Sequence, residues 1–171
     1  MRNNKTQKMV FMALLSAIAV VLHSIEAMLH LPLPLGMKLG LANIISLVVI
    51  EFYGVKEMFI VNIFRVIVSG LLTGLFGQMP FFISCGGVFL SSMALAVVKK
   101  LTSLPMISTS IMAAVFHNIG QVVVVSIFYA QPAIMSYVFI LMASSIPTGI
   151  LTGMSAIQIL KRIDKKQFQL I

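Results

Sequence analysis

Six long apolar runs, separated by short polar interruptions, set the pattern of this chain. A helix that crosses a bilayer needs about 20 apolar residues, and the runs have that scale. They predict spans at Met9–Leu29, Leu39–Tyr53, Met58–Phe76, Phe81–Val98, Ile107–Tyr129 and Ile134–Leu160. The interruptions read "HLPLPLGMK", "GVKE", "GQMP", "KKLTSLP" and "AQP", followed by a basic tail over 161–171. No span alternates with period two, so the expectation is an all-α, polytopic membrane protein: a six-transmembrane-helix bundle forming one integral domain over 1–171. The second run is short. Fifteen residues rise only about 22 Å in a hydrocarbon core about 30 Å thick. Irregular backbone beside such a helix needs cover from protein or water, which points to a cavity near that end.

Composition sharpens this picture. Of 171 residues, 60% are hydrophobic and 9% charged, and mean hydropathy is +1.09. A water-exposed domain needs a far more charged surface. The net charge of +8 does not read as a nucleic-acid footprint, because the basic residues cluster between apolar runs. With the N-terminus inside, Arg2, Lys5, Lys8, Lys56, Lys99, Lys100, Lys161, Arg162, Lys165 and Lys166 fall on the cytoplasmic side. Only Lys38 falls outside, and Arg65 lies within a span. That asymmetry predicts a multi-pass cell-membrane protein with both termini cytoplasmic. The basic start followed by "MVFMALLSAIAVVL" has the look of a signal peptide, but no cleavage site closes it and further spans follow. It is read as a retained first helix. Cys85, the one cysteine, lies in a span and supports no disulfide framework.

The stretch "HSIEAMLHLPLPLGMKLGLANII" gathers much of the polarity. His23, Glu26 and His30 are three and four apart, hence on one helical face. Lys38 and Asn43 follow at the start of the second span, and Gln78 closes the third at the same level. In the fifth span "HNIGQ" carries His117, Asn118 and Gln121. Polar groups inside a bilayer are costly and mark function by default, although a lone His or Asn also serves as an interhelical hydrogen-bond partner. Their convergence from several helices predicts a substrate pocket in the outer half. Arg65 stands apart, expected in the inner third as a snorkelling residue or a structural ion pair with Glu51 or Glu57. Two pentapeptides, "GLLTG" and "GILTG", each offer a small-xxx-small surface for close helix packing.

Catalytic chemistry is not visible. The chain lacks the phosphate-cradling G-x-x-x-x-G-K-[ST] pattern, so it does not hydrolyse ATP by that route. Asp164 is the one aspartate, which leaves no carboxylate cluster for a magnesium diphosphate. Three histidines without cysteine or acidic support make no metal site, and no nucleophile motif occurs. The expectation is a non-enzyme without catalytic residues, metal or cofactor.

"MALLSAIAVVL" also carries Ala13-x-x-x-Ala17, a ridge of small residues on the cytoplasmic half of the first helix. Together with "LPLPLGMKLGLANI" and "HNIGQ", the chain resembles the Gx transporter family, also labelled heptaprenyl diphosphate synthase component I. That family is similar to the substrate-binding S components of energy-coupling factor (ECF) transporters. The resemblance implies an S-component-like receptor for a small vitamin-like or quinone- or isoprenoid-related molecule. It implies a transmembrane coupling subunit and two cytoplasmic ATPases as partners, with Ala13 and Ala17 at the coupling surface. The substrate would be lined or gated by His23, Glu26, Lys38, Asn43, Gln78, His117, Asn118 and Gln121. Two other readings stay open: a non-catalytic membrane scaffold for a polyprenyl diphosphate synthase, and a small ion-coupled carrier using Glu26 and the histidines.

Overall fold

The computed structural model describes residues 4–28 and 40–163. Lys38, His30 and Asp164, together with the "LPLPLG" stretch, lie outside the described residues. The described residues form helices joined by short turns, with no strand among them: α1 (Asn4–Met28), α2 (Leu41–Phe52), α3 (Val55–Leu72), α4 (Met79–Leu101), α5 (Met106–Tyr129) and α6 (Val138–Arg162). One 3-10 helix, Pro132–Tyr137, precedes α6. There a proline in the first turn starts a helix earlier than the apolar run does.

Four stretches are long and apolar enough to cross a membrane: Thr6–Glu26, Met79–Leu101, Met106–Tyr129 and Pro132–Arg162. The outward faces are oily. Val10, Leu14, Ile18 and Val21 on α1 and Ile60, Ile63, Phe64 and Ile67 on α3 are all exposed. Such a surface is stable against lipid and not against water, so the protein is a membrane-embedded helical bundle.

The short α2 is the centre of the bundle. Its 12 residues form an almost wholly buried segment, with Ala42, Asn43 and the whole of Ile45–Ile50 inside. It touches α1, α3, α5 and α6. A helix buried on all sides belongs in a core. Leu47, Val48 and Val49 join Ala19, Met58, Val61, Leu95 and Ala156 in one hydrophobic cluster.

Glycines set the close crossings. A Cβ on Gly120 of α5 would collide with the backbone of Gly86 and Gly87 on α4. In "GILTG", Gly149 and Gly153 lie against Ile111 and Ile107 of α5, which is the small-residue packing anticipated. "GLLTG" divides differently. Gly70 packs on the Phe81 ring, whereas Gly74 has open space around it and a φ of 70°, so it serves the turn after α3.

The basic end of the bundle is tied by two ion pairs. Lys8 meets Glu57 at 2.7 Å and Lys99 meets Glu51 at 2.5 Å. Both carboxylates expected as partners for Arg65 are therefore engaged by lysines. The reason is distance along α3: Arg65 lies eight residues beyond Glu57, a rise of about 12 Å.

Candidate functional site

At the end away from these lysines, α1, α2 and α3 bring four polar side chains together. Glu26, 6% exposed, is the link between α1 and α2. Its Oε1 accepts the backbone N–H of Gly40, and that of Leu41 at 3.1 Å. Gly40 has a left-handed φ of 77°, suited to the sharp entry into α2. The first N–H groups of a helix have no partner within it, and they carry the positive end of its dipole. Glu26 supplies from another helix the capping oxygen that Gly40 lacks. Its carboxylate is thus engaged by backbone, a partner that side-chain spacing alone does not reveal.

Two residues into α2, Asn43 turns its Oδ1 to Arg65, accepting Nη2–H at 3.1 Å. Arg65 is 1% exposed. It does not snorkel to the basic end. It sits in the second half of α3 and reaches the start of α2, and the carboxylate acting on it through space is Glu26. One turn further on α3, Ser69 shares a 3.0 Å hydrogen bond with Ser24 of α1. Beside it lies a cavity of about 390 Å³ lined by His23, Ser69, Thr73 and Ser84 and by apolar Met28, Val66, Leu75 and Phe81.

Of the cluster's neighbours His23 lines this cavity, while Glu26, Asn43 and Arg65 are buried in the same half of the bundle and are not part of its wall. His117 and Gln121 are buried on α5, but against α4. A Cβ on Gly87 would lie 2.9 Å from the Gln121 Cγ and the His117 Cε1. Asn118 faces the other way. Its Nδ2 donates to the Leu141 carbonyl at 3.1 Å and to Ser145 Oγ at 2.7 Å, tying α5 to α6. Adjacent helix positions point about 100° apart, so His117 and Asn118 do not serve one surface. Gln78 does not join the cluster. It is exposed at the start of α4, where its Nε2 donates to the Gly74 carbonyl at 2.9 Å and closes the turn.

A second buried polar node had no counterpart among the sequence expectations. Asn62 Oδ1 accepts from Ser46 at 2.6 Å, and its Nδ2 donates to Ser92 at 2.8 Å. It pins α2, α3 and α4 at mid-height. The signal was present: Asn62, Arg65 and Ser69 fall at i, i+3 and i+7, one face of α3. Ala13 and Ala17 are exposed on α1, on a face left uncovered among the described residues. No group of three or more His, Cys, Asp or Glu assembles for a metal among the described residues.

An apolar bundle with a buried polar cluster at one end and paired lysines at the other is a polytopic membrane protein. The family model for heptaprenyl diphosphate synthase component I matches residues 15–159, most of the chain, and the protein belongs to that family. No curated protein and no solved structure matches it.

Proposed function

We propose that the protein is the substrate-binding subunit of an ECF-type uptake transporter, S-component-like, taking a small vitamin-like or quinone- or isoprenoid-related molecule. It resides in the cell membrane with both termini cytoplasmic and does no chemistry of its own. The observation that carries this reading is a cavity of about 390 Å³ lined by His23, Ser69, Thr73 and Ser84, in the half of the bundle that also holds the buried polar cluster of Glu26, Asn43 and Arg65, opposite the paired lysines. Bundle stability alone does not call for a fully buried arginine, since desolvating that charge costs several kcal/mol. The Lys and Arg clusters at the other end favour a cytoplasmic placement for it, and on this reading the cavity opens to the outside. The uncovered small-residue face at Ala13 and Ala17 supports docking of a transmembrane coupling subunit, with two ATPases supplying the energy this chain does not generate.

The test is native mass spectrometry of the protein extracted gently from its own membranes. A bound small molecule together with a coupling subunit and ATPases is the expected result. A complex containing a soluble prenyl synthase and no small molecule would refute it. That outcome would favour the second reading, a non-catalytic membrane component of a polyprenyl diphosphate synthase, which the family's description supports.

A further inference from the structure

The polar cavity has a neighbour that shares its wall. A second cavity of about 390 Å³ lies between α3 and α4, and Val66 and Phe81 line both spaces. Phe59, Asn62, Val66, Ser69 and Thr73 recur every three or four residues, so one face of α3 runs past the two cavities in turn. From Phe59 to Thr73 that face is about 21 Å long. The Phe81 ring stands where they meet. Gly70 leaves room for it, since a Cβ there would lie 2.8 Å from the ring, and its other neighbour is Phe76, 4.7 Å away between centroids.

The two spaces differ in chemistry. The second is a hydrocarbon groove walled by Ile63, Ile67, Cys85, Val88 and Phe89. Its two polar side chains, Asn62 and Ser92, bond each other at 2.8 Å. Ile63, Ile67 and Phe89 are exposed on the outer surface of the bundle, so the groove opens toward lipid. The first cavity offers three hydroxyls and the His23 imidazole, and no Asp, Glu, Lys or Arg stands on its wall. The charges buried in this half of the bundle, Glu26 and Arg65, are not part of it. Hydroxyls and a neutral imidazole each donate and accept, which suits an uncharged polar group. A charged one would be desolvated there without a fixed countercharge on the wall.

We infer that the two cavities form one site for a neutral amphiphile. Its hydroxyl- or carbonyl-bearing head occupies the polar cavity, and its hydrocarbon chain lies along the α3–α4 groove past Phe81. Such a molecule enters sideways from the bilayer. Lipid tails are as apolar as the chain, so the groove alone gives little preference over lipid, and the head supplies the selectivity. The inference rests on the receptor reading and names its substrate class: a long-chain molecule dissolved in the membrane rather than a water-soluble one.

The experiment places the full chain in lipid nanodiscs with hexadecanol carrying a mid-chain diazirine, and maps the photolabel by peptide sequencing. The label falls on α3 and α4 around Ile63, Ile67 and Phe89. Unlabelled hexadecanol displaces it, whereas hexadecane and hexadecyl phosphate do so about tenfold less well, the worth of the head's hydrogen bonds. Leu75→Trp, which fills the polar cavity from the turn after α3, lowers labelling of the groove by a similar factor. The competition series needs no variant, so it decides even where Leu75→Trp fails to fold. Equal displacement by hexadecane means ordinary lipid in the groove, and stronger displacement by the phosphate means a charged head on a protonated His23. Undiminished labelling in folded Leu75→Trp means two separate spaces, and a label confined to other helices means no site between α3 and α4. Each of these overturns the assignment. A chainless polar molecule co-purifying with the coupling subunit overturns the amphiphile and leaves the receptor standing. No co-purifying molecule and no coupling subunit overturns the receptor itself.

Discussion

Replacing Glu26 tests the architecture most directly, because three effects meet at one carboxylate. In Glu26→Ala the N–H groups of Gly40 and Leu41 lose their acceptor, and hydrogen bonds to a charged group contribute about 1.5–3 kcal/mol each. The two donors share one oxygen, so the pair is closer to about 2–4 kcal/mol than to a full sum. Arg65 also loses a negative charge that acts on it through space; the two share no direct ion pair, so this adds about 1 kcal/mol. These contributions overlap, since both arise from one negative charge, and a combined loss of about 4 kcal/mol is expected. Glu26→Gln separates them. The amide oxygen still accepts from the α2 N-terminus, so the cap survives and only the charge is lost, for about 2 kcal/mol. Adding Arg65→Met to Glu26→Gln removes the stranded cation and recovers part of that loss. The measurement is equilibrium unfolding in mixed micelles, with each variant compared at matched detergent composition. Glu26→Ala and Glu26→Gln costing the same, both under about 1 kcal/mol, would refute the assignment of Glu26 as both cap and counter-charge.

Other perturbations address separate parts of the bundle. Gly120→Ala drives a methyl into the Gly86 backbone and should cost about 1–3 kcal/mol or disperse α4 from α5, seen as a lowered Tm; Gly74→Ala, with open space around it, should cost only about 1 kcal/mol of backbone strain. Asn62→Leu strands the hydroxyls of Ser46 and Ser92 and should cost about 1–3 kcal/mol, whereas Gln78→Ala on the exposed turn should stay within about 0.5 kcal/mol by the same unfolding assay. Ala13→Leu with Ala17→Leu should leave the Tm of the isolated protein unchanged, while abolishing recovery of the coupling subunit in pull-downs from native membranes.

Hydropathy made the bundle legible because burial in lipid demands long apolar helices, and that demand is written residue by residue. The short second helix was visible for the same reason. Side-chain partners were harder. Glu26 accepts from the backbone N–H groups of Gly40 and Leu41, and backbone donors leave no trace in residue identity. The sequence puts Arg65 too near the basic end because its depth is counted from a span starting at Met58; α3 starts at Val55, and the arginine's long side chain reaches toward the start of α2. "HNIGQ" looked like one polar patch, but a helix turns its neighbours apart, and Asn118 went to α6 while His117 and Gln121 went to α4.

The enclosure of α2 has a consequence for how the protein is made. At 12 residues it rises about 18 Å, too little to cross a bilayer by itself. It also carries Asn43 and Ser46, whose partners sit on α3. Presented alone to the insertion machinery, it has neither the length nor the satisfied polar groups to remain in lipid. Its stable entry waits for α3 to emerge from the ribosome, so α2 and α3 insert as a hairpin against α1. A pulse-labelled chain truncated after Tyr53 should therefore leave α2 accessible to a water-soluble thiol reagent placed at Ile44→Cys, and one truncated after Thr73 should protect it.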